Sequence, residues 1–265
     1  MFRKGGNMKY QRQIDLQQYI NVKGTATIQE LLDVFHISKA TLNRDLTDLE
    51  NDGQIHKVHG GVVSNVSSGL FELPITKKEI YNRQYKEWIA KKACSLIHSN
   101  QSIILDSGST IYYLAKELVK RQDLENLTVI TADLKVAYTL ADQDQIALFV
   151  LGGMKHEASY DLYGSNIVSL LDSINADVYF MATSAFDEKI GVTHTNMDDV
   201  NTKKAMMRNS KRVVLCTDSS KHGLVKRWSI CDMNKIDTVI SDINLEENAV
   251  QTLKEQCQEV ILVSE

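Results

Sequence analysis

Hydrophobic positions follow two different rhythms along this chain. In the first stretch they recur at helical spacing. Leu16, Tyr19 and Ile20 mark one helix within residues 11–21, and Ile28, Leu31, Leu32 and Phe35 mark a second. A third carries Leu42, Leu46 and Leu49, with Ala40 partly on the stripe. From Ser102 onward the apolar residues come instead as short unbroken runs: 102–106, 127–130, 146–151, 177–182, 213–217, 238–240 and 260–263. Unbroken runs of this length predict strands buried on both faces. The segments between them carry helical patterns, such as 88–97, 111–119 and 134–140. Strands alternating with helices predict an open, mostly parallel α/β sheet covered on both sides.

The turn residues sharpen the first region. Lys23-Gly24-Thr25 breaks the first helix. Thr27 with Glu30 three residues on makes a capping box for the second. His36-Ile37 is a tight turn, Ser38 caps the third helix, and Asn51-Asp52-Gly53 stops it. Two short strands, 54–58 and 62–63, flank His59-Gly60-Gly61. Two helices around a tight turn, followed by a hairpin, predict a winged helix-turn-helix. A helix of this kind fits the major groove of DNA, where side chains near its start reach base edges. Its exposed face presents Ser38, Lys39, Thr41, Asn43 and Arg44. Asn43 and Arg44 suit bidentate bonds to bases; Ser38 and Lys39 suit phosphates. Lys57 and His59 on the hairpin, and Lys9 and Arg12 on the first helix, are candidates for further backbone contacts. Arg44 also has an alternative partner in Asp48 one turn on, and His36 and His56 read as packing or surface residues.

Residues 9–63 resemble the DeoR family of bacterial transcriptional regulators, through Thr41-Leu-Asn-Arg-Asp-Leu46, Leu49, Gly53 and Val58-His-Gly-Gly61. The family pattern has two adjacent arginines before the Asp; here the first is Asn43. The resemblance implies double-stranded operator DNA as a partner.

In the second region, small-residue loops follow the strands. Asp106-Ser107-Gly108-Ser109-Thr110 follows the first, Thr131-Ala-Asp133 the second and Gly152-Gly153 the third. Loop N–H groups and helix N-termini at strand ends form anion sites, and parallel sheets bind ligands beyond their carboxyl ends. Asp218 and Lys221 fall at another strand end, and Lys203 lies on a helix beginning near Asp198-Asp199. Hydroxyls, N–H groups and the two lysines suit a phosphate; Asp106, Asp133 and Asp218 suit sugar hydroxyls. Taken one at a time, each of these is as readily a turn, a cap or a solvated side chain.

Leu105 to Thr110, the glycine pair, Gly164, Gly191, Asp199 to Lys203 and Asp218-Ser-Ser-Lys-His-Gly223 resemble the DeoR-type sensor domain. That resemblance implies a fold like ribose-5-phosphate isomerase and a phosphorylated sugar as effector. Ala132 stands where the family has Asn, and Asp199 where Glu is commoner.

Composition agrees with this division. Residues 1–64 hold eight basic and seven acidic side chains; the rest holds 22 and 27. The boundary is placed at Ser64–Pro74, small and polar and ending on the only proline. The predicted domains are therefore 1–63, a linker 64–74, and 75–265. No run approaches the roughly 18 apolar residues of a membrane span, and residues 1–8 lack the apolar core of a secretory signal, so the cytoplasm is expected. The four cysteines are far apart and form no C-x-x-C pair, so neither a disulfide framework nor a zinc site is implied. No cofactor or metal is expected.

Three functions compete. The first is a repressor of sugar-metabolism genes, released by a phosphorylated sugar and assembled as a homodimer or homotetramer through the body. The second is an isomerase-like enzyme with Asp106, Asp133, or Asp218 with Lys221 as base. The third is a protein-binding adaptor. No G-x-S-x-G, H-E-x-x-H or Walker motif supports the enzyme, and the first reading joins both regions in one mechanism.

Overall fold

The computed structural model describes residues 5–52, 54–64, 75–157 and 159–265. The predicted stop at Gly53 and the linker residues 65–74 lie outside the described residues. The chain divides into two compact units, Met1–Leu73 and Pro74–Glu265.

The first unit runs α1 (Gly5–Lys23), β1 (Thr25–Thr27), α2 (Ile28–Phe35), α3 (Lys39–Asn51), β2 (Ile55–Val58) and β3 (Gly61–Ser64). The capping box forms: Thr27 Oγ1 accepts from Glu30 N at 3.1 Å, and Glu30 Oε2 accepts from Thr27 N at 3.3 Å. His36 turns the chain in the left-handed region (φ 49), and Ser38 Oγ then accepts from Thr41 N at 3.2 Å. Leu16, Ile20, Leu31, Leu42, Leu46 and Ile55 are fully buried between the helices and the sheet. Ala40, expected partly on the stripe, is exposed. The wing has three strands rather than two, in the order β1-β3-β2, because the break after α1 extends into β1. The glycine pair is what admits that strand. Gly60 turns at φ +78, and a Cβ on Gly61 would sit 2.6 Å from the carbonyl oxygen of Ala26 on β1.

The second unit begins with α4 (Ile75–Ile80) and α5 (Arg83–Cys94). Strands β4 (Ser102–Leu105), β5 (Leu127–Thr131) and β6 (Ile146–Val150) then alternate with α6 (Ser109–Leu118) and α7 (Leu134–Leu140). A small hairpin, β7 (Met154–Lys155) and β8 (Leu162–Tyr163), leads to α8 (Ser165–Leu171) and β9 (Ala176–Met181). Next come β10 (Ala185–Asp187), β11 (Gly191–His194), α9 (Met197–Arg208), β12 (Ser210–Cys216) and β13 (Trp228–Cys231). The unit closes with β14 (Thr238–Asp242), α10 (Glu247–Gln256) and β15 (Glu259–Val263).

Seven strands form one sheet in the order β15-β14-β12-β9-β4-β5-β6, every neighbouring pair parallel. Alternate residues divide between its faces. Ile103, Leu105, Phe180 and Val214 pack with α5, α6 and α7; Ile104, Tyr179, Met181 and Leu215 pack with α8, α9 and α10. All seven strands are the predicted apolar runs. β10, β11 and β13 form a separate antiparallel sheet that the apolar pattern does not announce.

The order of strands fixes where a site can be. The chain builds outward from β4 through β5 and β6, then returns to lay β9 on the other flank of β4 and builds outward again. Loops leaving β4 and β9 therefore diverge, opening a crevice at their carboxyl ends.

Candidate functional site

In the first unit, packing selects the exposed face of α3. Leu42, Asp45, Leu46 and Leu49 are buried, so Lys39, Asn43, Arg44 and Thr47 face outward, with Ser38 exposed at the helix start and Thr41 half-buried. Asp45 is a buried carboxylate, and α1 satisfies it. Arg12 Nε donates to Asp45 Oδ2 at 2.6 Å, and Gln13 Nε2 donates to Oδ1 at 3.2 Å. Gln13 also donates to Asp48, which pairs with Lys9 at 2.8 Å. Lys9 and Arg12, expected at phosphates, are thus committed to acids of α3, and Asp48 is held from α1. Lys57 is tied back to α3 as well: its N–H donates to Glu50 at 2.8 Å and its Nζ to Thr47 Oγ1 at 2.6 Å. His59 is exposed at the tip of the wing.

In the second unit, the crevice between β4 and β9 is centred on an ion pair. Asp106, directly after β4, is almost wholly buried. Its Oδ2 accepts from Tyr179 Oη at 2.7 Å and from Ala182 N at 2.9 Å, and it pairs with Lys203 Nζ. Lys203 reaches in from α9, is only 4% exposed in its side chain, and also donates to the Ala182 carbonyl at 3.1 Å. Its charge is therefore matched before any ligand arrives. A small crevice open to solvent lies above, lined by Asp106, Ser107, Ala132, Asp161, Leu162, Asp199, Thr202, Lys203 and Met206.

The loop after Asp106 carries the anion-site geometry. Gly108 sits at φ +122 as the N-cap of α6, a conformation that residues with a side chain rarely adopt; it has no side chain to cap the helix, and its N–H donates to the Asp133 carboxylate. Ser109 and Thr110 open α6 and are buried. The first-turn N–H groups of a helix without a side-chain cap are donors for an anion. Asp133 is the N-cap of α7, accepting from Lys135 N at 2.8 Å and Val136 N at 2.9 Å. Burial pushes its carboxyl up to about 6, with those N–H groups opposing. Thr131 is fully buried and its Oγ1 accepts from Asp133 N at 3.1 Å. Gly152 and Gly153 follow β6 on the surface and do not line the crevice; the Gly152 carbonyl accepts from Asn166.

Asp218 and Lys221 belong to a second group on the same sheet edge, after β12. Asp218 accepts from Asn82 Nδ2 at 2.9 Å and from Ser220. Burial opposes its ionisation, but Lys221, Lys86 and these donors outweigh it and hold the carboxyl below its usual range. Lys221 Nζ lies 5.7 Å from the centre of the Tyr81 ring. Lys86 is absent from the residues singled out above. It is 2% exposed and donates to the carbonyls of Lys78 and Tyr81; burial pushes its amine down from 10.5 to about 7. A signal for it exists: Lys86 falls on the same face of α5 as buried Ile89, Ala90 and Ala93.

The crevice has a further group that the sequence reading passed over. His156 and Asp161, from the β7–β8 hairpin, meet Asp199 of α9 and His194 of β11. His156 Nε2 lies 3.1 Å from Asp199 Oδ1 and 4.0 Å from Asp161 Oδ2, and His194 Nδ1 lies 3.5 Å from Asp199 Oδ2.

Comparison with known proteins agrees with both units. The family model "DeoR-like helix-turn-helix domain" matches residues 12–68, and "DeoR C terminal sensor domain" matches residues 81–243. The HTH-type transcriptional regulator GolR of Listeria innocua is 34% identical over 88% of this chain and 90% of its own length. The lactose phosphotransferase system repressor of Staphylococcus aureus is 30% identical over 93% of this chain and 96% of its own. Among solved structures, ribose 5-phosphate isomerase A of Methanocaldococcus jannaschii matches at 20% identity with a TM-score of 0.40, over 53% of this chain and 55% of that one. Among the described residues no helix is long and apolar enough to cross a membrane. With a winged helix-turn-helix in front, a doubly covered parallel sheet behind, and both halves matched along nearly their whole extent, the chain belongs to the DeoR family of transcriptional regulators.

Proposed function

We propose that the protein is a repressor of sugar-metabolism genes whose DNA affinity is set by a phosphorylated sugar held at the carboxyl edge of the body. In this reading α3 enters the major groove. Asn43 and Arg44 read base edges, Ser38, Lys39 and Thr41 approach phosphates, and His59 lies beside the adjoining backbone. Lys57 and Arg12 contribute by fixing α3 in place. The observation that carries the effector half is the N-terminus of α6 behind Gly108, which follows the buried Asp106–Lys203 pair at the carboxyl end of β4, with the N–H groups of Ser109 and Thr110 in its first turn. A phosphate takes the N–H groups of Ser109 and Thr110; the sugar hydroxyls meet the acids of the crevice. The lactose-system relative supports a sugar as the signal. Binding shifts the operator equilibrium only through a difference in effector affinity between two states.

An isomerase is disfavoured by the state of its candidate bases. Asp106 is fully engaged, Asp133 caps a helix, and Asp218 is held by Asn82 and Ser220. The body is also the expected seat of a homodimer or homotetramer, which places two heads on two half-sites.

The test is fluorescence anisotropy of the full chain on duplex from its own promoter region, titrated with a panel of sugar phosphates and the free sugars. One phosphorylated sugar is expected to lower operator affinity while its free sugar does not. If every compound leaves affinity unchanged, or one is turned over to product, the reading fails.

A further inference from the structure

We propose that the crevice binds a divalent metal ion, with His156 Nε2 and one oxygen each of Asp161 and Asp199 as its protein ligands. The cysteines offer no zinc site, but imidazole and carboxylate are an equally competent donor set. The three donor atoms lie within 4.8 Å of one another. Ligands bonded to one tetrahedral ion at roughly 2.0–2.2 Å stand about 3.3–3.5 Å apart. The contacts of 3.1 Å from His156 to Asp199 and 4.0 Å from His156 to Asp161 bracket that spacing.

A second observation concerns protons. Asn196 is the N-cap of α9, and its Oδ1 accepts from Asp198 N at 2.9 Å. That fixes the amide, so its Nδ2 faces His156 Nε2 at 3.3 Å. Its backbone N–H donates to His194 Nδ1 at 3.3 Å. His156 Nε2 thus lies within hydrogen-bond distance of both Asn196 Nδ2 and Asp199 Oδ1, which holds the ring against α9. The ring of His156 is also held in place, stacked on Tyr163 at 4.1 Å between centres. Three protein ligands leave a fourth position open toward the crevice, as in metal sites that also take an exogenous oxygen. His194 is then a positioning residue for Asp199.

This inference shares its location with the effector reading but does not depend on it, because ion binding is measured with neither sugar nor DNA present. The full chain is stripped with chelator and titrated calorimetrically with Zn²⁺ and Mn²⁺, with Ca²⁺ as a hard-ion comparison. One Zn²⁺ or Mn²⁺ per chain is expected, bound at least tenfold more tightly than Ca²⁺, with a rise in apparent melting temperature. His156→Ala and Asp161→Asn should each weaken binding at least tenfold, whereas His98→Ala, on the exposed surface, should not. Co²⁺ should give visible d–d absorption that His156→Ala abolishes; this readout is independent of stability. No stoichiometric binding, or binding that survives both His156→Ala and Asp161→Asn, overturns the proposal and leaves a hydrogen-bonded histidine–aspartate pair.

Discussion

The two units handle charge in opposite ways. In the head, acids of α3 are neutralised from α1, 33 and 39 positions away, and from the wing, 7 positions away, and the recognition face is what remains outside those pairs. In the body, the charges nearest the candidate site are matched within the fold: Asp106 is paired with Lys203, and buried Asp218 lies in the field of Lys86 and Lys221. The near-neutral balance of the head is therefore a poor guide to the potential of its DNA-facing side. Asp45 and Asp48 are spent inside the domain, while Lys39 and Arg44 stay exposed. Conversely, Lys203 and Lys86 are poor candidates for free phosphate-binding charges, and in the proposed reading that role falls to the neutral N–H groups of α6.

The sharpest way to break this contrast is to remove one member of the buried pair. Lys203→Ala leaves Asp106 buried with its charge unmatched, a loss of about 3–5 kcal/mol. The body should unfold at a markedly lower temperature, and the effector response should disappear with it. If Lys203→Ala melts like the parent, the pair is not buried as described.

Lys86 gives the next effect, through pH. In the unfolded chain its amine keeps a proton to about pH 10.4; in the folded body it releases it around 7. Between those values the unfolded state holds more protons, so stability rises with pH. The contribution of this group between pH 7 and 9 is about 2 kcal/mol. Denaturant unfolding at both pH values measures it. Lys86→Met should flatten the rise, even if the carbonyls of Lys78 and Tyr81 lose their donor. An equally steep rise in Lys86→Met would assign it to other groups.

These residues also mark what the sequence disclosed. The head was legible almost residue by residue, because capping boxes, helix stops and a glycine turn act locally. The seven sheet strands were legible because each is an unbroken apolar run, which burial on both faces explains for the five inner strands, while the edge strands β6 and β15 keep the run though largely exposed. β1, β7, β8, β10, β11 and β13 were not, since these short strands carry neither an unbroken apolar run nor a flanking glycine turn of the kind that marks β2 and β3. The crevice was half legible. Asp106, Ser107 and Lys203 stand beside recognisable loops and helices, but His156 and Asp161 arrive on the unannounced hairpin. Their meeting with Asp199 is created by topology, across 43 and 38 positions of sequence.

Arg44 tests the head at moderate size. It is exposed and contributes nothing to the core, so Arg44→Ala should leave stability within about 0.5 kcal/mol while costing about 1–3 kcal/mol of discrimination at one base pair. Operator affinity should fall several-fold to a hundredfold, with affinity for random duplex changed much less. Equal losses on both would make Arg44 a phosphate contact instead.

Ser38 gives the cleanest separation of structure from recognition. Its hydroxyl accepts from Thr41 N and caps α3, so Ser38→Ala should cost about 1 kcal/mol. Ser38→Asp replaces the cap with one of equal strength and places a negative charge at the helix N-terminus, where the dipole favours it. The head should therefore be as stable as the parent. That same carboxylate, however, stands at the end of α3 proposed to approach the phosphates, so DNA affinity should fall. If Ser38 contributes only as a cap, Ser38→Asp binds DNA like the parent and Ser38→Ala binds worse. If the helix start lies against the backbone, the order reverses, with Ser38→Asp the weaker binder despite its intact fold. Thermal melts and anisotropy on the same two variants decide between these orders.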